Sequence, residues 1–288
     1  MWGPAAAWRR EATFEPDSPR SLQQPRHHPA ARKPAFSRHI GRVACQEPTG
    51  VIPLESTAAL EFTGIAFAAR GISVRGPTGC AFANVSLDIA AGQLGVIVAP
   101  AGSGRTALLL ALAARMRLVT GTIAVGGHRL PGGERRVQRA VSVAQAAPAV
   151  DLDDDLRVGE LIAERAMISR SRPTPPAIAE VFDVLGLRLP RRSTIGQLPR
   201  GERTMLATGL AAAERPCAVV VDDADSGCGP AERRRVWSGL HALTRLGCTV
   251  VASSTHIPDM LDETDMATTA LPHPFERDAT PVAPEEKR

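Results

Sequence analysis

Leu94-Gly95-Val96-Ile97-Val98 runs into Ala99-Pro100-Ala101-Gly102-Ser103-Gly104-Arg105-Thr106, and Ala107-Leu108-Leu109-Leu110-Ala111-Leu112 follows directly. The first run is a continuous apolar strand, the second a loop of small residues, the third the opening of a buried helix. The loop fits the eight-residue frame [AG]-x-x-x-x-G-[basic]-[ST] of a phosphate-binding P-loop. In that frame the backbone N–H groups of the loop and helix start converge on phosphate oxygens, and a hydroxyl turns to Mg²⁺. Ala99, Gly102, Ser103, Gly104, Arg105 and Thr106 are therefore candidate nucleotide-binding residues, with Thr106 also a metal ligand. A glycine-rich turn before an ordinary helix has the same outline, so further motifs must decide. The basic position carries Arg105, and the chain's only lysines are Lys33 and Lys287, both in polar end segments. Arginine keeps the charge but spreads it over a planar fork, which is no equal exchange at a tight phosphate site.

A second motif lies downstream. Ala218-Val219-Val220-Val221 is a buried-strand run closed by Asp222-Asp223, the pattern of a Walker B strand. Its first carboxylate helps hold Mg²⁺ opposite the P-loop, and the next acid can polarise an attacking water. Around these motifs the pattern alternates between strands and helices. Ile72–Val74 and Val85–Ile89 alternate as half-buried edge strands, Leu94–Val98 reads as central, and Cys248–Ala252 as a further buried strand. Val158–Met167, Pro176–Leu185, Gly201–Glu214 and Pro230–Arg245 read as helices. This order predicts an α/β fold with parallel members in its sheet, built on the P-loop and mostly helical over 158–215. After Pro258 the signal fades.

Composition and charge narrow the function classes. At 288 residues the chain has ample length to bury a core. Residues 1–55 hold eight Lys or Arg against five Asp or Glu, so +3 of the formal net charge of +4 lies there and only +1 is left for the remainder. A folded face that binds nucleic acid is not expected from that distribution. Residues 1–57 are rich in Pro, Arg, His and Ala without a sustained period and predict a disordered extension. Residues 58–272 form the predicted domain, and 273–288 a polar tail. Arg9-Arg10 lacks the apolar region of an export signal. The longest apolar stretch, Ala107–Ala114, is far short of the roughly 20 residues of a spanning helix, so a membrane role is expected through a partner. The five cysteines contain no C-x-x-C pair, which points to a reducing cytoplasm rather than a metal or disulfide framework.

From Ile72 to His256 the order of motifs resembles the nucleotide-binding domain of ABC transporters. Gln145 stands at the Q-loop glutamine, Leu198-Pro199-Arg200-Gly201-Glu202 at the signature Leu-Ser-Gly-Gly-Gln, and His256 at the switch histidine. The signature lies 24 residues before Asp222 and the histidine 34 after it. The resemblance implies an α/β P-loop NTPase with a mixed, largely parallel sheet and a helical subdomain over about 146–215, and ATP and Mg²⁺ as cofactors, with Thr106, Asp222 and Gln145 at the metal. It also implies Asp223 as base, Gln145 at the water and in coupling, His256 as γ-phosphate sensor, and Leu198, Gly201 and Glu202 in a signature that faces a second nucleotide-binding domain. The implied partners are an integral-membrane permease subunit and a homo- or heterodimer of such domains, at the cytoplasmic face of the plasma membrane. A DNA-repair ATPase of the same superfamily would need a coiled-coil insertion for which the interval from Gln145 to Leu198 has no room.

The departures predict a weak enzyme. Pro199 removes the signature hydroxyl and a backbone N–H, and Arg200 replaces a glycine that permits close approach. Asp223 is one methylene shorter than the usual glutamate, and Gly229 occupies the D-loop aspartate position. The chain has no tyrosine; near the position of an adenine-stacking aromatic it offers Arg75, which either stacks or is solvated. Two functions follow: a slowly hydrolysing transporter ATPase, or a non-hydrolysing ATP-binding module that switches a membrane partner.

Overall fold

The computed structural model describes residues 60–271, apart from 78, 169–172, 263 and 265. The extension expected over 1–57 and the tail over 273–288 lie outside the described residues. In chain order the elements are β1 (Phe67–Gly76), β2 (Gly79–Ile89), β3 (Leu94–Val98), α1 (Arg105–Leu112), β4 (Thr120–Val125), β5 (His128–Leu130), α2 (Glu134–Ala140) and β6 (Val141–Gln145). There follow α3 (Val158–Ile168), α4 (Pro175–Val184), α5 (Arg200–Ala213), β7 (Ala218–Val221), α6 (Pro230–Arg245), β8 (Thr249–Ser254) and β9 (Met266–Ala270).

Two sheets divide the strands. An antiparallel sheet has the order β2-β1-β4-β5, and a sheet of parallel neighbours has the order β6-β7-β8-β3-β9. Because the parallel sheet is covered on both faces, its strands read as unbroken apolar runs, and adjacent residues feed opposite cores. Val219, Val221, Val250 and Ala252 join Leu206, Leu210, Trp237 and Leu240 beneath α5 and α6. Val220, Val251 and Ile97 join Leu108, Leu109 and Leu112 of α1 and Phe67, Ile72 and Phe82 of the antiparallel sheet. The helix α1 is thereby held between the two sheets, with its N-terminus at the C-terminal end of β3.

Two expectations for the strands are corrected. Ile72–Val74 belongs to a ten-residue strand that lies inside its sheet, paired with both β2 and β4, so only β2 of that pair is an edge. Past Pro258 the chain forms one more parallel strand, β9, which pairs with β3 from Leu94↔Met266 to Val98↔Ala270. Its sequence, Met-Ala-Thr-Thr-Ala, has only one large apolar side chain, because it is an edge strand whose residues are partly exposed. The stretch 146–215 carries α3, α4 and α5. Thr174 caps α4 by accepting from the Ala177 N–H at 3.4 Å, and Pro175 takes the first helical position, where a missing N–H costs nothing.

Candidate functional site

The loop 99–106 occupies the turn from β3 into α1. Gly102 and Gly104 have φ of +79° and +92°, the left-handed region that glycine enters without penalty. Gly104 is also the N-cap of α1, and a Cβ there would meet the Ala81 carbonyl of β2. A Cβ on Gly102 would meet nothing within 4 Å; this is the open side of the loop. Ser103 is fully buried and donates to the Pro100 carbonyl at 2.8 Å, closing the loop on itself. Ala99 is tied to the neighbouring strand by its N–H to the Ser254 carbonyl at 3.2 Å.

Asp222 and Asp223 leave β7 beside this loop. The Thr106 hydroxyl donates to one carboxylate oxygen of Asp222, across 116 residues of sequence. The Ser253 hydroxyl donates to the other at 2.6 Å, and accepts the Asp223 N–H at 2.8 Å. Asp222 is 4% exposed. Burial pushes its carboxyl above the usual carboxylate range, while the hydrogen bonds from Ser253 and Thr106 pull the other way.

The arginine turns inward. One terminal nitrogen of Arg105 donates to the Ala99 carbonyl and the other to the Asp223 carboxylate, so the basic side chain of the loop is ion-paired to the second acid. Its side chain is 8% exposed against 43% for Asp223. The Arg105 Nε is buried without a hydrogen-bond partner. Asp223 adopts φ of +45°, a conformation aspartate visits more readily than most residues.

Gln145 closes the group from β6. Its side-chain amide donates to the Asp222 carbonyl at 3.2 Å and its oxygen accepts from Thr204 of α5 at 3.4 Å, so it links the acidic turn to the helix that begins at the signature. Thr106, Asp222, Asp223, Arg105 and Gln145 therefore lie together. Leu198, Gly201 and Glu202 do not join them. They start α5, where Pro199 is the N-cap without a side-chain cap and Gly201 packs on Cys228, Glu232 and Val236. His256 is exposed, its ring nitrogen 2.8 Å from the Thr255 hydroxyl. Among the described residues no hydrogen bond joins His256 or residues 198–202 to the loop 99–106.

Three supporting residues escaped the sequence reading. Ser253 touches both acids, yet in sequence it is only a small polar end to an apolar strand. Asp225 is 8% exposed and accepts from Ser254 at 2.7 Å and from the Trp237 indole at 3.1 Å, with the Arg233 Nε 3.4 Å away. Arg203, on α5, bonds the Leu152 carbonyl at 2.9 Å and Asp151 at 3.1 Å, and also pairs with Asp154. That arginine ties α5 to the segment beyond Gln145.

The donor set fits a magnesium nucleotide. A buried arginine nitrogen lacking an acceptor and an unobstructed glycine loop suit phosphate oxygens. One hydroxyl and one carboxylate are the hard oxygen ligands that Mg²⁺ takes alongside phosphate and water. Fold and loop define a P-loop nucleotide-binding domain. The ABC transporter family profile matches residues 82–226, just over half of the 288, and the chain belongs to that family. Among its relatives, an ABC transporter ATP-binding protein of Methanopyrus kandleri is 29% identical over 153 residues, 51% of this chain and 56% of the relative. The daunorubicin/doxorubicin resistance ATP-binding protein of Streptomyces peucetius is 27% identical over 187 residues, 63% of this chain and 54% of the relative. The chain thus spans about half the length of these relatives. A nucleotide-free ATP-binding cassette from an ABC transporter superposes with a TM-score of 0.58 at 16% identity, over 72% of this chain and 87% of that one, a likeness of fold. Among the described residues no helix is long and apolar enough to cross a membrane.

Proposed function

We propose that this chain binds MgATP between its P-loop and Asp222, hydrolyses it slowly, and drives a membrane permease from the cytoplasmic face as one of two such subunits. The observation that carries the reading is the Thr106–Asp222 hydrogen bond, which joins two of the three predicted Mg²⁺ ligands beside the loop. Bound MgATP supplies the electrophilic γ-phosphorus and a cation that neutralises phosphate charge. The residues of the chain supply the rest. Backbone N–H groups at Gly102–Thr106 hold phosphate, Arg105 adds charge, and Gln145 lies against Asp222, where a water and the coupling interface meet. Asp223 is the base.

The Arg105–Asp223 pair supports the reading of slow turnover. While Arg105 holds that carboxylate, the base has lost an acceptor oxygen and the phosphate site has lost its cation. Each role requires the pair to open, and an open pair exposes the base to water and the arginine to phosphate together. The alternative, a non-hydrolysing module that switches its partner by binding alone, draws support from this same pair and from Pro199, Arg200 and Gly229. ATP titration with and without Mg²⁺, beside a turnover assay, separates the two. Binding without turnover, with the natural partner present, selects the module. Gly104→Val and Thr106→Ala should both weaken MgATP binding more than tenfold; undiminished binding by folded Thr106→Ala protein overturns the nucleotide-site reading.

A further inference from the structure

At the edge of the parallel sheet opposite the P-loop, where β6 and β7 begin, lies a cleft of about 650 Å³. Arg115 beyond α1, Arg135 and Arg139 on α2, and Arg215 between α5 and β7 line it with Gln138 and Glu214. Some of this charge is already answered. Glu214 is paired with Arg165 at 3.3 Å, and Arg215 with Glu180 at 2.9 Å. Among the described residues Arg115, Arg135 and Arg139 have no carboxylate within ion-pair distance. Adjoining hollows around α2 add Arg117, Arg129 and Arg136, with Glu134 as the acid among them. The Glu134 carboxylate accepts the Gly132 N–H at 2.8 Å.

Like charges gathered round a concavity repel one another, and the concavity focuses their field. The arrangement is favourable only toward an anion. Guanidinium forks match phosphate geometry with paired N–H···O bonds, where an ammonium would offer a point charge. The walls come from separate elements that converge on a hollow, which suits a compact ligand better than a flat lipid surface. The geometry points to a second anion site on this chain, one that takes a small molecule carrying two or more phosphate groups. It is distinct from the P-loop, because β6 alone puts about 16 Å of strand between the two edges of the sheet. Its occupancy would bear on the parallel sheet from the end opposite the nucleotide, and it does not rest on the reading of the P-loop.

The test titrates inorganic tripolyphosphate at physiological salt into the full chain and into its Thr106→Ala variant, and follows affinity by calorimetry and the Gln138 side-chain amide by NMR. The expected result is binding that shifts the Gln138 signal equally in both. Arg135→Ala/Arg139→Ala should weaken it at least tenfold, and Arg135→Lys/Arg139→Lys should fall between. These side chains are exposed, and thermal melts verify that the variants fold. Arg191→Ala/Arg192→Ala, exposed arginines away from the cleft, controls for net charge. Tripolyphosphate binding that is unchanged in Arg135→Ala/Arg139→Ala, that leaves the Gln138 signal unmoved, or that is weakened equally by the Arg191/Arg192 control overturns the site. So does binding to phosphatidylglycerol vesicles with none to tripolyphosphate, which would make the cleft a lipid contact.

Discussion

At the scale of single residues the proposed function turns on the Arg105–Asp223 pair. Asp223→Asn removes the charge that holds Arg105, so ATP affinity should rise while turnover falls; loss of a general base costs about 10²- to 10⁴-fold. Asp223→Glu should raise turnover by reaching further toward the water. Arg105→Lys should tighten ATP binding, since a compact ammonium fits between phosphate oxygens and no longer forks between Ala99 and Asp223. Equilibrium ATP binding with single-turnover rates checks all three, and a coincident loss of binding in Asp223→Asn would show that the carboxylate does not compete with phosphate. Asp222 poses the opposite problem. Its carboxyl is raised by burial, so the native state holds that proton more tightly than the unfolded chain. The stabilisation it gives is present below the unfolded value and lost as pH rises through the folded one. Asp222→Asn should therefore raise the melting temperature of the nucleotide-free protein, by an amount that grows as pH rises through the folded-state titration of Asp222, while abolishing Mg²⁺-dependent binding.

Between elements, the Asp225 carboxylate joins the turn after β7 to α6 and to the end of β8. Asp225→Ala would leave the Trp237 indole N–H and the Ser254 hydroxyl buried without an acceptor, each about 1–3 kcal/mol, for an expected loss of about 2–6 kcal/mol in urea unfolding. Asp225→Asn, which keeps one acceptor oxygen, should lose less. The Arg203 pairs count for less at equal length, because Asp151 and Asp154 are 41% and 63% exposed and water replaces the arginine when it is removed. This level separates what was legible in the sequence from what was not. Strands β3 and β7 and helix α6 have the bounds their composition predicts, because a strand covered on both faces must be apolar throughout and Gly229-Pro230 marks a helix start. The acids and the P-loop were legible through their order. Strand β9 was not, since an edge strand needs few apolar residues. Ser253 and Asp225 were hidden for another reason: their partners come from distant segments, and a short polar side chain carries no periodic signal. The inward turn of Arg105 depends on the placement of Asp223, 118 residues away, which no local pattern encodes.

For the molecule as a whole, the separation of residues 198–202 from the loop 99–106 has a consequence for assembly. If the site is completed by the signature of a second nucleotide-binding domain, MgATP should drive association, and residues 198–202 of this chain would make that half of the site weak. Pro199 offers no hydroxyl and no N–H, and the Arg200 side chain lies over the turn at Gly227, where a Cβ would stand 3.4 Å from the arginine Cγ. We expect sedimentation velocity in the Asp223→Asn background to find MgATP-dependent dimers only at high protein concentration. Pro199→Ser with Arg200→Gly should strengthen them. Serine at the N-cap also satisfies a free N–H of α5, worth about 1 kcal/mol, so Pro199→Ser alone is expected to stabilise the monomer in any case. The two effects are told apart by nucleotide: the cap raises the melting temperature without ATP, whereas association requires it. A rise in melting temperature with no MgATP-dependent dimer, at concentrations where ATP is bound, would mean that the second half of the site is not supplied by a copy of this chain, and co-purification of a different nucleotide-binding subunit would then identify its source.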